Sequence, residues 1–114
     1  MEARRAQAAF KFFVQWRGET RTLDFVEGEV LELGCESDDF KILGRFVSRI
    51  HARIEPRDRD FVLVDCSTNG TFVQTEDEKV TFVRRQSLRL WGEGWLSLGE
   101  PLDKATAIRF GHVE

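Results

Sequence analysis

The chain has 114 residues, enough for one domain with an ordinary hydrophobic core and too few for two. Hydrophobic residues at 41% and charged residues at 32% exclude a disordered tail. A formal net charge of −3 argues against a dedicated nucleic-acid binder.

Ten Phe and three Trp, against no Tyr and one Met, predict an aromatic-filled interior. Cys35 and Cys66 form no CxxC pair, and with His51 and His112 they show no standard zinc-ligand spacing, so neither metal nor cofactor is expected. Residues 1–10 lack the apolar run of a signal peptide, and no stretch is long enough to span a bilayer. The expected location is therefore cytoplasmic, away from the membrane.

In chain order, residues 1–9 read as a linker or disordered start, with the domain at 10–114. From Phe12 the apolar period becomes two: Phe12, Val14 and Trp16 alternate with polar residues, and Gly18-Glu19 makes a turn. Ten more short runs follow, over 20–26, 30–33, 40–43, 52–55, 61–65, 71–73, 80–83, 87–90, 95–98 and 107–111. Each is bounded by Gly, Asp, Asn or charge. About eleven strands with no sustained 3.6-residue pattern predict an all-β sandwich or barrel. The continuous run Phe61-Val62-Leu63-Val64 suits a strand inside a sheet.

Two loops carry candidate chemistry. Asn69-Gly70 is a turn signal, because both residues tolerate positive φ. Ser67 and Thr68 add hydroxyls that turning does not require. Gly44–His51 joins two strand candidates and places Ser48, Arg49 and His51 within four residues. Arg45, Arg49, Arg53, Arg57 and Arg59 fall within fifteen residues, just after Glu36, Asp38 and Asp39. Such a patch on an acidic protein points to a small anionic ligand, or else to the solvated face of a strand.

Together the loops resemble the forkhead-associated (FHA) domain. The resemblance rests on Leu33-Gly34, Ser48-Arg49-Ile50-His51-Ala52, Asp65, Ser67-Thr68-Asn69-Gly70-Thr71-Phe72 and Leu98-Gly99, in order. It implies an FHA/SMAD-like β-sandwich of about eleven strands and a phosphothreonine-containing protein or peptide as partner. By position, Ser48 would donate to the phosphate, Arg49 and Thr68 would help to hold it, and Asn69 would bond the peptide main chain. His51 would pin the loop, while Gly34 and Gly70 would serve the motif's backbone. The stretches 44–56, 82–85 and 91–95 are also similar to FHA domains attached to bacterial adenylate or guanylate cyclases, which implies a regulatory part of a larger protein. No catalytic apparatus is expected in this chain.

One position departs from the family. Where the motif places a phosphate-binding Arg after the glycine, this chain has Cys35, thirteen residues before Ser48. A thiol is a poor donor and is uncharged at neutral pH. Arg45 or Arg49 is expected to compensate, in which case Arg45→Ala abolishes binding. The alternative is a domain that kept the fold and lost phosphate recognition, acting in phospho-independent interaction or dimerisation. A third reading pairs Cys35 or Cys66 with His51 as a thiol–imidazole couple. The sequence does not specify oligomeric state or peptide preference.

Overall fold

A computed structural model describes residues 11–24, 29–57 and 60–113. Eleven strands are present: β1 (Lys11–Trp16), β2 (Glu19–Asp24), β3 (Leu31–Gly34), β4 (Phe40–Lys41), β5 (Ala52–Arg57), β6 (Asp60–Asp65), β7 (Thr71–Gln74), β8 (Val80–Val83), β9 (Ser87–Leu90), β10 (Gly94–Leu98) and β11 (Ile108–Val113). They form a six-stranded sheet in the order β2-β1-β11-β10-β7-β8 and a five-stranded sheet in the order β4-β3-β5-β6-β9. The expected linker at 1–9 lies outside the described residues, as do positions 25 and 26 of the second expected strand.

The alternation read from the sequence is the one that packs the two sheets. Phe12 and Val14 point inward from β1 while Lys11 and Gln15 face solvent. Phe12 stacks on Phe110 of its own sheet and on Phe61 of the other, with ring centroids 5.7 and 4.9 Å apart. Leu33, Ile54 and Leu63 meet Leu96, Val73 and Ile108 across the same interior. The aromatic interior is only partly realised. Phe12, Phe40, Phe61 and Phe110 are buried, but Phe46, Phe82 and Trp91 are exposed.

β6 is hydrogen-bonded on both sides, by β5 and β9, which explains its unbroken apolar run. Pro56 is tolerated in β5 because β3 pairs only as far as Ile54, leaving the far side of Pro56 without a ladder partner. β3 and β4 pair in parallel although only residues 35–39 join them. The segment is folded tightly, with the amides of Ser37 and Ile42 both bonded to the Gly34 carbonyl. Cys35 and Glu36 are thereby thrown out at the end of β3. The β6–β7 loop and residues 42–51 leave the sandwich at that same end, since Leu33 faces Ala52 and Ala52 faces Asp65 in the ladder.

Candidate functional site

Two buried side chains shape the site. His51 is fully buried, and both its ring nitrogens are engaged by backbone. The Ser48 amide donates to Nδ1 at 3.0 Å, so Nδ1 carries a lone pair, and Nε2–H donates to the Gly70 carbonyl at 2.8 Å. One neutral imidazole therefore ties the Ser48 loop to the Asn69-Gly70 turn. It leaves no nitrogen for a thiol partner, which removes the chemical basis of a Cys–His couple.

The second is Asp65, at the end of β6. Its carboxylate accepts from the Ser67 amide, the Ser67 and Thr71 hydroxyls and the Arg85 amide, at 2.7–3.1 Å. Ser67 in turn accepts from the Gly70 amide at 2.7 Å. Ser67 and Thr68 thus divide, against the expectation that turning requires neither hydroxyl: Ser67 is buried and holds the turn, and of the two Thr68 alone is exposed. Gly70 has φ +85° and packs under the Phe82 ring, where a Cβ would lie 2.4 Å from ring carbons.

Gly34 serves a different need. A Cβ there would sit 2.1 Å from the Arg49 carbonyl oxygen, so only glycine lets β3 run this close to the Ser48 loop. The close approach continues beyond it: Cys35 N–H donates to the Ser48 carbonyl and Glu36 N–H to the Arg49 carbonyl, each at 3.0 Å.

Between these loops lies an open cleft lined by Glu36, Val47, Ser48, Arg49, Ile50, Cys66 and Thr68. The Ser48 Oγ accepts from the Thr68 amide at 3.2 Å, which leaves its own proton to donate. Arg49 is exposed, and its guanidinium makes no hydrogen bond or ion pair among the described residues. The Asn69 carboxamide donates to the Phe46 carbonyl at 3.2 Å and keeps its oxygen for an incoming N–H. Ser48, Arg49 and Thr68 therefore meet at one cleft, with Asn69 beside it.

Arg45 does not line this cleft; its guanidinium lies 5.6 Å over the Phe46 ring. The five-arginine run is likewise not one patch. Arg53 and Arg57 both hold Glu55, at 2.7 and 2.9 Å, on the exposed side of β5, and Arg59 lies outside the described residues. Cys35 is half-buried beside the cleft.

Three contributors escape a sequence reading. Glu36 and Cys66 line the cleft, and Arg84 Nε donates to the Thr68 carbonyl at 2.8 Å. The first two adjoin motif residues, so proximity in sequence is a usable signal for them. Arg84 comes from another strand end and carries none. Among the described residues, no group of three His, Cys, Asp or Glu is placed to hold a metal, and no helix is long and apolar enough to cross a membrane.

The model of the FHA domain family matches residues 31–90, a span holding β3 through β9 and both loops. The chain belongs to the FHA-domain family. Solved FHA domains share the fold across nearly the whole chain. Rv1747 FHA-1 from Mycobacterium tuberculosis superposes with a TM-score of 0.71 at 19% identity, covering 91% of this chain and 97% of that one. An Arabidopsis thaliana FHA domain gives 0.70 at 20%, covering 91% and 86%. The MEK1 FHA domain, solved with a phosphothreonine peptide of HOP1, gives 0.67 at 15%, covering 90% and 97%. No curated protein sequence matches the chain.

The His51 tie gives this FHA domain a pH dependence of known sign. Burial lowers the imidazole pKa, outweighing the Gly70 carbonyl and the Asp65 carboxylate, which raise it. The unfolded chain, with His near 6.5, therefore takes up a proton that the folded chain resists. This part of the stability is complete above pH 6.5 and is lost as pH falls through the lower folded value. Unfolding free energies from urea titrations at pH 7.5, 6.5 and 5.5 should decline with acid, His51 contributing at most ~1.4 kcal/mol per pH unit. His51→Gln should flatten that decline, and an unchanged slope in the variant would contradict the assignment.

Proposed function

We propose that this FHA domain binds phosphothreonine-containing peptides, with the phosphate in the cleft between Ser48, Arg49 and Thr68. The observation that carries the reading is the free Ser48 proton and the unpaired Arg49 guanidinium, on a loop held rigid by His51. A phosphate monoester carries about −1.5 to −2 charge and three acceptor oxygens, so it matches converging hydroxyl and guanidinium donors. The phosphothreonine peptide bound by a solved relative supports the same choice of ligand. Val47 and Ile50 offer the apolar wall against which a threonine methyl would pack. Asn69 would fix the peptide main chain through its carboxamide oxygen.

Because Arg45 lies on Phe46, Arg49 is the cation on which the phosphate relies. Fluorescence-polarisation titrations with matched Thr, pSer and pThr peptides test this. The pThr form should bind tightest, and Ser48→Ala and Arg49→Ala should each weaken it about tenfold or more, the effect of one charge-assisted bond. Arg45→Ala should change it less than about twofold, as expected for an exposed charge outside the site. Equal affinity for the phosphorylated and unphosphorylated peptides would refute the proposal.

That outcome would favour a second reading, a phospho-independent interaction or dimerisation domain. Cys35 is its support, since it leaves one fewer cation at the cleft than the family motif provides, and Glu36 adds an anion there. The wider setting we propose is regulatory and cytoplasmic, within a larger bacterial signalling protein such as a nucleotide cyclase. It rests on the similarity of stretches 44–56, 82–85 and 91–95.

A further inference from the structure

The cleft carries two charges that the fold leaves unpaired. Glu36 and Arg49 both line it and are both exposed, and neither side chain has a hydrogen bond or ion pair among the described residues. Their backbones are locked together by the 3.0 Å bond from the Glu36 amide to the Arg49 carbonyl, so the anion cannot drift away from the cation's loop. A phosphate brought to Arg49 and Ser48 therefore enters a cleft that a carboxylate also lines, with no second cation from position 35 to offset it. A bare phosphopeptide meets one attraction and one repulsion.

A peptide that carries its own cation resolves both. An ammonium or guanidinium placed between phosphate and Glu36 pairs with each, and stands in trans for the charge that Cys35 does not supply. We propose that Glu36 is a specificity residue selecting phosphothreonine peptides with a Lys or Arg close to the phosphothreonine, the products of kinases that favour basic sites. This rests on the phosphopeptide reading above.

Five peptides read by fluorescence polarisation separate the two claims: a pThr peptide with alanine flanks, the same with lysine flanks, the same with glutamate flanks, and unphosphorylated controls with alanine and with lysine flanks. The alanine-flanked pThr peptide against its own unphosphorylated form reports phosphate binding alone. The flank series reports Glu36. The lysine-flanked pThr peptide should bind about fivefold tighter than the alanine-flanked one, the effect of one exposed ion pair, and the glutamate-flanked one more weakly still. The unphosphorylated lysine-flanked peptide should show no comparable gain.

Glu36 is exposed, so its variants should leave the fold intact. Glu36→Gln should erase the lysine preference while keeping phosphate dependence, and Glu36→Arg should reverse it toward glutamate flanks. An alanine-flanked pThr peptide that binds while the flanks make no difference, or a lysine preference unchanged in Glu36→Gln, would overturn the specificity role alone. Loss of phosphate dependence across the whole series would overturn both.

Discussion

Cys35→Arg should tighten phosphothreonine-peptide binding by about tenfold to a hundredfold, the effect of one or two new charge-assisted hydrogen bonds. The backbone already stands where such a side chain would act. The Cys35 amide donates to the Ser48 carbonyl at 3.0 Å, and Gly34 brings β3 against Arg49, so position 35 adjoins Ser48 and Arg49. Half-burial of Cys35 sets the one demand, that the longer side chain leave toward the cleft and solvent. The same titration on wild type and variant checks the result. An affinity unchanged by the substitution would mean that position 35 does not face the phosphate.

The variant also bears on Glu36. Once the protein supplies the second cation, the ligand's own cation is needed less, so the preference for lysine flanks should shrink in Cys35→Arg. The two effects should be less than additive, as expected for groups that share one partner. A full, unreduced lysine preference in the variant would mean that the peptide's cation pairs with Glu36 without sensing the phosphate.

The strand count was legible because the core demands a period of two, and Phe12, Val14, Ile54, Leu63 and Leu96 satisfy it plainly. Strand ends were less legible. β5 continues through Pro56, which a sequence rule excludes from a central strand and which is allowed only because β3 stops short. β8 carries Val80 and Phe82 on its open side and sends only Val83 into the core, so most of its hydrophobicity speaks of the sheet's outer face.

At the site, the loop motifs were visible because glycine, asparagine and histidine have few substitutes there. The division of labour between Ser67 and Thr68 was not, since both are hydroxyls and only burial tells them apart. The placement of Glu36 beside Arg49 was equally hidden. It depends on the chain running on past Gly34 against the Ser48 loop, through the bonds from Cys35 and Glu36 to the Ser48 and Arg49 carbonyls, a contact between segments more than ten residues apart. The resting place of Arg45 was hidden for a different reason. Arg45 lies near Ser48 in sequence, but its side chain settles on Phe46.

Asp65→Ala should be the most damaging single substitution at the site, lowering stability by about 3–5 kcal/mol. Asp65 is 3% exposed and its carboxylate accepts from two amides and two hydroxyls, and the Ser67 and Thr71 donors are themselves fully buried. Against a typical total of 5–15 kcal/mol, such a loss brings the domain close to unfolding. Asp65→Asn should be milder, at roughly 1–2 kcal/mol. Its carbonyl oxygen can keep the position of Oδ2, where the Ser67 and Arg85 amides are fixed donors. Its NH₂ group then takes the position of Oδ1, where the Ser67 and Thr71 hydroxyls can turn to accept. Urea denaturation of the three proteins separates these cases. Equal losses for Ala and Asn would show that the negative charge, not the donor–acceptor pattern, holds the turn that presents Thr68 and Asn69.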